Sequence, residues 1–316
     1  MAFNISAVAG LEGAAEQSVK SAGFEYPIMM WAYGNPKHKK AGGMDYAGGF
    51  FIPIPTPREE DSEESKEKIA TVAAKMAELL PAAGWEKETM IHADNASTEG
   101  YYNRDAVFSL IGFRKKWEIV DGDTRMAWAW NWDNFALAKE HGSPKTRFHG
   151  LVAVKGAEGV GPFILTLRGV AQMNFEGARD SVMNKFFQAV ITPANALTKS
   201  QTPYRVFWMP VGAKQDAKGE PAFEKFGTGS DTSHLVMPAL IGIPAKGDKA
   251  LLDRLYVGDD KLPIFNEMYE AAKEWIVAWD TLEPGTNGGG NESATSAQET
   301  PKVEAMPAAE LASLGL

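Results

Sequence analysis

The sequence predicts an α+β protein in which helices pack against an antiparallel β-sheet or small barrel, followed by a disordered tail. Short apolar runs separated by glycine-rich turns indicate strands joined by tight connections. Three stretches carry apolar residues at helical spacing, over residues 62–80, 179–196 and 249–280. From residue 284 onward the chain has no aromatic side chain and is rich in glycine, serine, threonine and glutamate, which is typical of disorder.

These patterns divide the chain into three parts. Residues 1–24 are mostly small and polar and are expected to form a flexible arm, and residues 284–316 are expected to form the disordered tail. Residues 25–283 are expected to form one globular domain. Its β-rich, ligand-binding part covers about residues 25–170, and its helix-containing part covers about residues 171–283.

The domain is predicted to begin with a β-hairpin formed by Pro27 to Ala32 and Gly48 to Ile54. The intervening loop, residues 34–43, combines glycines with Lys37, Lys39 and Lys40. Glycines permit close backbone approach and lysines attract phosphates, so this loop is either a phosphate clamp or an ordinary solvated turn.

The helix predicted over residues 62–80 is capped by Asp61 or Ser62, with glutamates in its first turn, where the helix dipole favours negative charge. Further strands are predicted over residues 106–120, 125–132, 147–155, 163–170, 204–211 and 232–244. The helical pattern of residues 249–280 is interrupted near residues 258–260 and places Trp275 and Trp279 on one helical face.

Three tryptophans at alternate positions, Trp128, Trp130 and Trp132, are the most informative feature of the β-rich part. In a strand their side chains would lie on one face, about 7 Å apart. Such a row is either part of the core or a stacking surface for a flat ligand, such as a base or a sugar. Both interpretations are open at this point, since tryptophan is highly buried on average.

Basic residues accompany these rings. Between residues 104 and 155 nine lysines and arginines face six aspartates and glutamates, although the whole chain has a net charge of −9. Arg114, Lys115 and Lys116 precede Trp117, and Arg125 begins the tryptophan segment. Rings that stack on bases and cations that follow phosphates are what single-stranded nucleic acid requires.

No pattern of residues indicates catalysis. None of the five histidines has another histidine three or four positions away, the spacing of a helical metal pair. The chain has neither a nucleophile elbow nor a Rossmann or phosphate-loop glycine pattern. The sequence therefore predicts a protein that is not an enzyme, without a cofactor or metal site.

Composition excludes several classes. The chain has no cysteine, so disulfides, thiolate metal sites and thiol nucleophiles are excluded. No apolar stretch reaches the roughly 18 residues of a membrane span, and the N-terminal sequence does not resemble a signal peptide. A cytoplasmic protein without a membrane partner is expected.

In plan, the chain resembles the OB-fold single-stranded DNA-binding proteins of phages and plasmids. The resemblance covers roughly half of the chain and implies an OB-like barrel that binds DNA in replication or recombination. It departs from that family in length, since the globular part exceeds one OB unit, and in a tail without an acidic-aromatic tip. The residues that carry it are Trp31, Phe50, Phe51, Arg114, Lys115, Lys116, Trp117, Trp128, Trp130, Trp132 and the tail, residues 284–316.

The sequence thus favours a single-stranded nucleic-acid-binding protein. The residues expected at the site are Trp31, Lys37, Lys39, Lys40, Arg114, Lys115, Lys116, Trp117, Arg125, Trp128, Trp130 and Trp132. The tail is a candidate contact for a protein partner, and the chain is a candidate homo-oligomer. Two alternatives remain open: a glycan-binding module, and a phage or assembly structural protein whose aromatic residues form a core or a subunit interface.

Overall fold

The structure is a computed structural model, and it describes residues 26–33, 48–59, 61–91, 97–121, 124–177, 179–226 and 233–282. The predicted N-terminal arm, the basic loop and the C-terminal tail lie outside these residues.

The described residues form strands and helices in an α+β arrangement. The strands are β1 (Ile28–Ala32), β2 (Gly49–Pro53), β3 (Glu86–Ile91), β4 (Ser97–Asn103), β5 (Asp105–Asp121), β6 (Thr124–Ala129), β7 (Lys145–Val154), β8 (Phe163–Leu167), β9 (Met209–Ala213), β10 (Phe223–Phe226), β11 (Ser233–Val236) and β12 (Pro238–Leu240). The α-helices are α1 (Glu63–Ala82), α2 (Trp132–Glu140), α3 (Gly169–Glu176), α4 (Val182–Phe186), α5 (Thr192–Thr198), α6 (Lys249–Leu255) and α7 (Leu262–Val277). A π-helical turn, Phe187–Ile191, joins α4 to α5.

Most strands belong to one large sheet with the order β12-β9-β5-β7-β8-β1-β2-β4-β3, and β6 pairs with β5 beside this path. All of its pairings are antiparallel except that of β1 with β8. Strands β10 and β11 form a separate two-stranded sheet. No pairing among the described strands joins β3 to β12, so the predicted antiparallel sheet is confirmed but its closure into a barrel is not.

The sheet curls strongly around the hydrophobic core. Phe50 in β2 and Phe108 in β5 belong to strands four places apart, which in a flat sheet would be separated by roughly 19 Å. Their ring centroids nevertheless lie 5.7 Å apart. The Trp31 indole, in β1, donates a hydrogen bond to the Val236 carbonyl oxygen in β11 at 3.0 Å. These contacts bring strands that are distant in the sheet order or in the sequence into one core.

The 17-residue strand β5 positions the candidate site. Its register against β7 shifts between Leu110 and Gly112, which is the mark of a β-bulge. Beyond the bulge, Arg114 and Lys116 face the end of α7, and the odd-numbered side chains between them and beside them face the opposite side. Neighbouring residues of this strand therefore lie in different environments.

Several local predictions are confirmed. Helix α1 begins after Ser62, whose hydroxyl accepts a hydrogen bond from the Ser65 backbone N–H at 3.2 Å. Strands β1 and β2 pair as the predicted hairpin, and the C-terminal helical stretch is divided into α6 and α7.

The prediction of one strand over residues 125–132 is wrong. Strand β6 ends at Ala129, and α2 begins at Trp132. Asn131 caps this helix, since its side-chain oxygen accepts a hydrogen bond from the Asn134 backbone N–H at 2.8 Å. A capped helix satisfies backbone donors that a continuing edge strand would leave open, so the three indoles do not form a single row.

The strand predictions over residues 163–170 and 204–211 are also too broad. Strand β8 ends at Leu167, and α3 follows from Gly169, whose positive φ of 52° makes the sharp turn possible. Residues Tyr204–Val206 form a 3-10 turn before β9.

Candidate nucleic-acid interface

Strands β5 and β6 carry the first two tryptophans of the candidate site. Trp117 and Trp128 are directly opposite each other in this antiparallel pair, so their side chains share a face. Helix α2 covers that face near Trp128, which packs in a small cluster with Ile119 and Ala138 and is only 1% exposed. Trp128 is therefore part of the protein interior.

An exposed group of rings lies beside this cluster. We call it the aromatic surface, and it consists of Trp117, Trp130, Trp132 and Phe135. Trp130 is 43% exposed and Trp132 is 65% exposed. Trp117 stacks on Trp130 with a centroid separation of 6.1 Å and an angle of 25°, and Trp132 meets Phe135 edge-on at 6.0 Å.

A hydrogen bond and a ring contact hold Trp117 in place within the aromatic surface. The Trp117 indole N–H donates a hydrogen bond to the Asn131 carbonyl oxygen at 2.9 Å, and its ring lies 4.7 Å from that of Phe135. Asn131 is also the N-cap of α2. One backbone position therefore holds both the start of the helix and the ring that supports Trp130.

Lys115 places a positive charge against the aromatic surface. Its ammonium lies 3.4 Å from the centroid of the Trp130 ring, a cation–π contact. The same ammonium forms an ion pair with the Glu176 carboxylate at the end of α3. Both side chains are only 14% exposed, so solvent screens this pair less than a pair on the open surface.

Arg114 and Lys116 lie on the other face of β5, beneath the end of α7. The Arg114 guanidinium is 3.9 Å from the Trp275 ring centroid and 4.2 Å from that of Trp279. It also donates from Nη1 to the Trp275 carbonyl oxygen at 3.1 Å. The Lys116 ammonium is 4.5 Å from the Trp279 ring, and this side chain is buried.

Glu118 is the acidic centre of that second face. Its Oε2 accepts hydrogen bonds from Arg147 Nη2 at 2.8 Å and from Arg147 Nε at 3.1 Å. Its Oε1 lies 3.6 Å from Lys116 Nζ and 4.0 Å from Nη1 of the exposed Arg125. Arg125 is thus on the Glu118 side of the β5–β6 hairpin and not beside the exposed rings.

His149 is buried among these cations. Burial is the largest cause that holds the pKa of His149 well below its usual value, and the positive charges of Arg114, Arg147, Lys116 and Arg168 add to it. The imidazole packs against Trp279 with a centroid separation of 4.7 Å. This face is therefore a packed ionic and aromatic interior.

Those residues predicted for the site that the structure describes fall into three groups. Lys115, Trp117, Trp130 and Trp132 come together on the aromatic surface, whereas Arg114, Lys116 and Arg125 lie on the opposite face. Trp31 and Trp128 are buried. Lys37, Lys39 and Lys40 lie outside the described residues.

Three residues near the exposed rings were not among those predicted for the site: Phe113, Phe135 and Glu176. Phe113 is 36% exposed and stacks on Phe148 with centroids 5.7 Å apart. Phe113 lies on the same face of β5 as Lys115 and Trp117. The spacing of two residues between them in the predicted strand was the sequence signal that Phe113 shares their face. Glu176 reaches the site from α3, a placement without a local sequence signal, and Phe135 reaches it from α2, whose signal was the cap residue Asn131.

Other kinds of site find no support within the residues described. No group of three or more histidines, aspartates or glutamates there could hold a metal ion. Within the same residues, no helix combines the length and apolarity needed to cross a membrane. No family model matches the sequence, and comparisons with curated proteins and with solved structures gave no match.

Proposed function

We propose that this protein binds single-stranded nucleic acid without catalysing a reaction, and that its natural ligand is DNA in replication or recombination. The observation that carries the proposal is the aromatic surface, where Trp130 and Trp132 are exposed next to each other and Trp117 supports the first of them. Large exposed aromatic groups are uncommon on proteins unless they bind something.

Stacking supplies the main attraction in this proposal. Every base presents a flat face, and a base stacked on an aromatic side chain contributes about 1–3 kcal/mol. A duplex keeps its bases stacked on each other, so the exposed rings favour a single strand. Among the described residues, Lys115 beside Trp130 and Lys139, whose ammonium is 5.6 Å from the Phe135 ring, are cations next to these rings that would meet the phosphates of a stacked strand.

The resemblance to OB-fold single-stranded DNA-binding proteins belongs to the same proposal. A curled antiparallel sheet with exposed rings beside its long strand is compatible with it, although the described pairings leave the sheet open. Cytoplasmic localisation and a tail that recruits a protein partner also remain proposals.

The test is a titration of intrinsic tryptophan fluorescence with a single-stranded oligonucleotide, a duplex and an oligosaccharide, each at low and high salt. We expect quenching by the single strand, weaker binding at high salt because counterions are released, and little response to the duplex. Unchanged fluorescence and no electrophoretic shift with the single strand at low salt would refute the proposal. Quenching by the oligosaccharide alone would identify a glycan site.

A second candidate is self-association through the aromatic surface, as in an assembly protein. It is favoured by the exposure of Trp130 and Trp132, two residues apart in the chain, since aromatic residues are enriched in protein–protein interfaces. Sedimentation velocity of the full chain distinguishes it: a stable oligomer with buried, unquenchable tryptophans would replace the nucleic-acid proposal.

A further inference from the structure

The position of Lys115 has a consequence for how a base reaches Trp130. Its ammonium lies 3.4 Å from the centroid of that ring, which is close to the separation of two aromatic rings in van der Waals contact, about 3.5 Å. A base stacked on this face of Trp130 would occupy the place that the ammonium holds. Lys115 and a base therefore exclude each other there.

Glu176 is what keeps Lys115 in that place. Glu176 is the last residue of α3, and its negative charge at the helix C-terminus is unfavourable unless a cation compensates it. Lys115 supplies this cation, and both side chains are largely shielded from solvent. The pair thus connects the end of α3 to the central part of β5 and covers Trp130 at the same time.

We propose that the Lys115–Glu176 ion pair is an autoinhibitory cover over Trp130, which a phosphate group of the bound strand displaces. The inference rests on the proposed function, because it assumes that a strand binds at the aromatic surface. The phosphate takes Lys115 away from Glu176, and a base then stacks on the uncovered ring. Trp132, which is more exposed than Trp130, binds the first base.

A shift in salt dependence distinguishes this cover from an ordinary structural ion pair. In the natural protein, Glu176 takes up a counterion when Lys115 leaves it, which offsets the counterion released from the phosphate. Without the carboxylate, the full release appears as a steeper salt dependence. The logarithmic slope for a single strand should therefore steepen by about 0.7, the value for one additional phosphate contact.

The test compares Glu176→Gln with Glu78→Gln in the full chain, using fluorescence anisotropy of a labelled oligodeoxythymidylate. Glu78 is an exposed residue of α1, so its variant makes the same change in net charge at another element. We expect Glu176→Gln to bind about fivefold more tightly at low salt, which is the effect of relieving one partly shielded pair, and Glu78→Gln to bind nearly as the natural protein does. Adding Lys115→Met to Glu176→Gln should remove the steeper salt dependence, because no ammonium then replaces a counterion on the phosphate.

The variant is expected to fold, because loss of a negative charge at the end of α3 favours that helix. Glu176→Asp provides a milder change and should give a smaller gain in the same direction. Equal affinities and slopes for Glu176→Gln and Glu78→Gln, with normal binding by the natural protein, would overturn this inference alone. Absence of binding by every variant would overturn the proposed function and the inference together.

Discussion

Replacement of Trp132 by alanine is the sharpest test of the aromatic surface. The ring is 65% exposed, and its described ring contact is an edge-on one with Phe135. Alanine is the best helix former, and the Asn131 cap of α2 does not involve the Trp132 side chain. The free energy of unfolding should therefore change by no more than about 0.5 kcal/mol, as for most surface substitutions.

The loss in binding should be much larger than the loss in stability. A stacked base contributes about 1–3 kcal/mol, and Trp132 is the most open ring of the four, so we expect about 2 kcal/mol. Because each 1.4 kcal/mol is a factor of ten in the dissociation constant, this corresponds to roughly 30-fold weaker binding. No phosphate contact is removed, so the slope of affinity against salt should not change.

The assay is anisotropy of a short labelled single strand at several salt concentrations, with Phe223→Ala as the control. Phe223 is also an exposed aromatic residue, but it lies in β10 of the separate two-stranded sheet. If the natural protein binds and Trp132→Ala stays within twofold of Phe223→Ala, then stacking on the aromatic surface is not the source of affinity. A changed salt slope would instead assign Trp132 to the positioning of a cation.

Three further outcomes follow from the two faces of β5. Phe113→Ala should weaken binding of strands long enough to reach it, by about 1 kcal/mol in an anisotropy titration, and leave the shortest ones unaffected, because Phe113 lies four residues, or about 13 Å, from Trp117. Arg114→Met should lower the free energy of unfolding in urea by about 3 kcal/mol, since it loses a charged hydrogen bond and two cation–π contacts, with affinity unchanged within twofold. The folded protein holds the pKa of His149 well below that of the unfolded chain. The neutral imidazole therefore contributes fully to the free energy of unfolding above about pH 6.5, and this contribution is lost as the pH falls below that value. His149→Phe should make urea stability less pH-dependent by up to about 1.4 kcal/mol per pH unit between pH 6.5 and 5, and an unchanged slope would contradict the cause assigned to that pKa.

Elements with local signals were predictable from the sequence. Helix α1 has a capping serine, acidic residues in its first turn and apolar residues at helical spacing, and all of these act within a few residues. The alternation in β5 also places Lys115 opposite Arg114 and Lys116, although all three were predicted to share one site. Such features depend on backbone geometry that neighbouring residues determine by themselves.

The end of β6 shows where local periodicity is insufficient. Alternate tryptophans continue to Trp132, so the period of two persists after the strand has ended at Ala129. The decisive signal was Asn131, which has the chemistry of a helix cap and is followed by Asp133 in the first turn. A cap and a strand periodicity competed over the same residues, and the hydrogen bond from the Asn134 N–H decided in favour of the helix.

The covering of the second face of β5 could not have been predicted from its own segment. The carbonyl that accepts the Arg114 hydrogen bond belongs to Trp275, which is 161 residues away in the chain. A cluster of arginine and lysine beside aromatic residues is the same pattern whether a helix or a phosphate backbone covers it, since both present oxygen acceptors and ring faces. Only tertiary packing distinguishes these two uses.

This division of β5 changes where binding energy is expected to come from. The arginine and lysine on either side of Lys115 make charge-assisted and cation–π contacts with the protein itself, and Lys115 is paired with Glu176. A chain with a net charge of −9 therefore offers few cations to a phosphate backbone on the described aromatic surface. Affinity at this surface must then come mainly from the exposed rings, which is why loss of Trp132 should weaken binding far more than loss of Arg114.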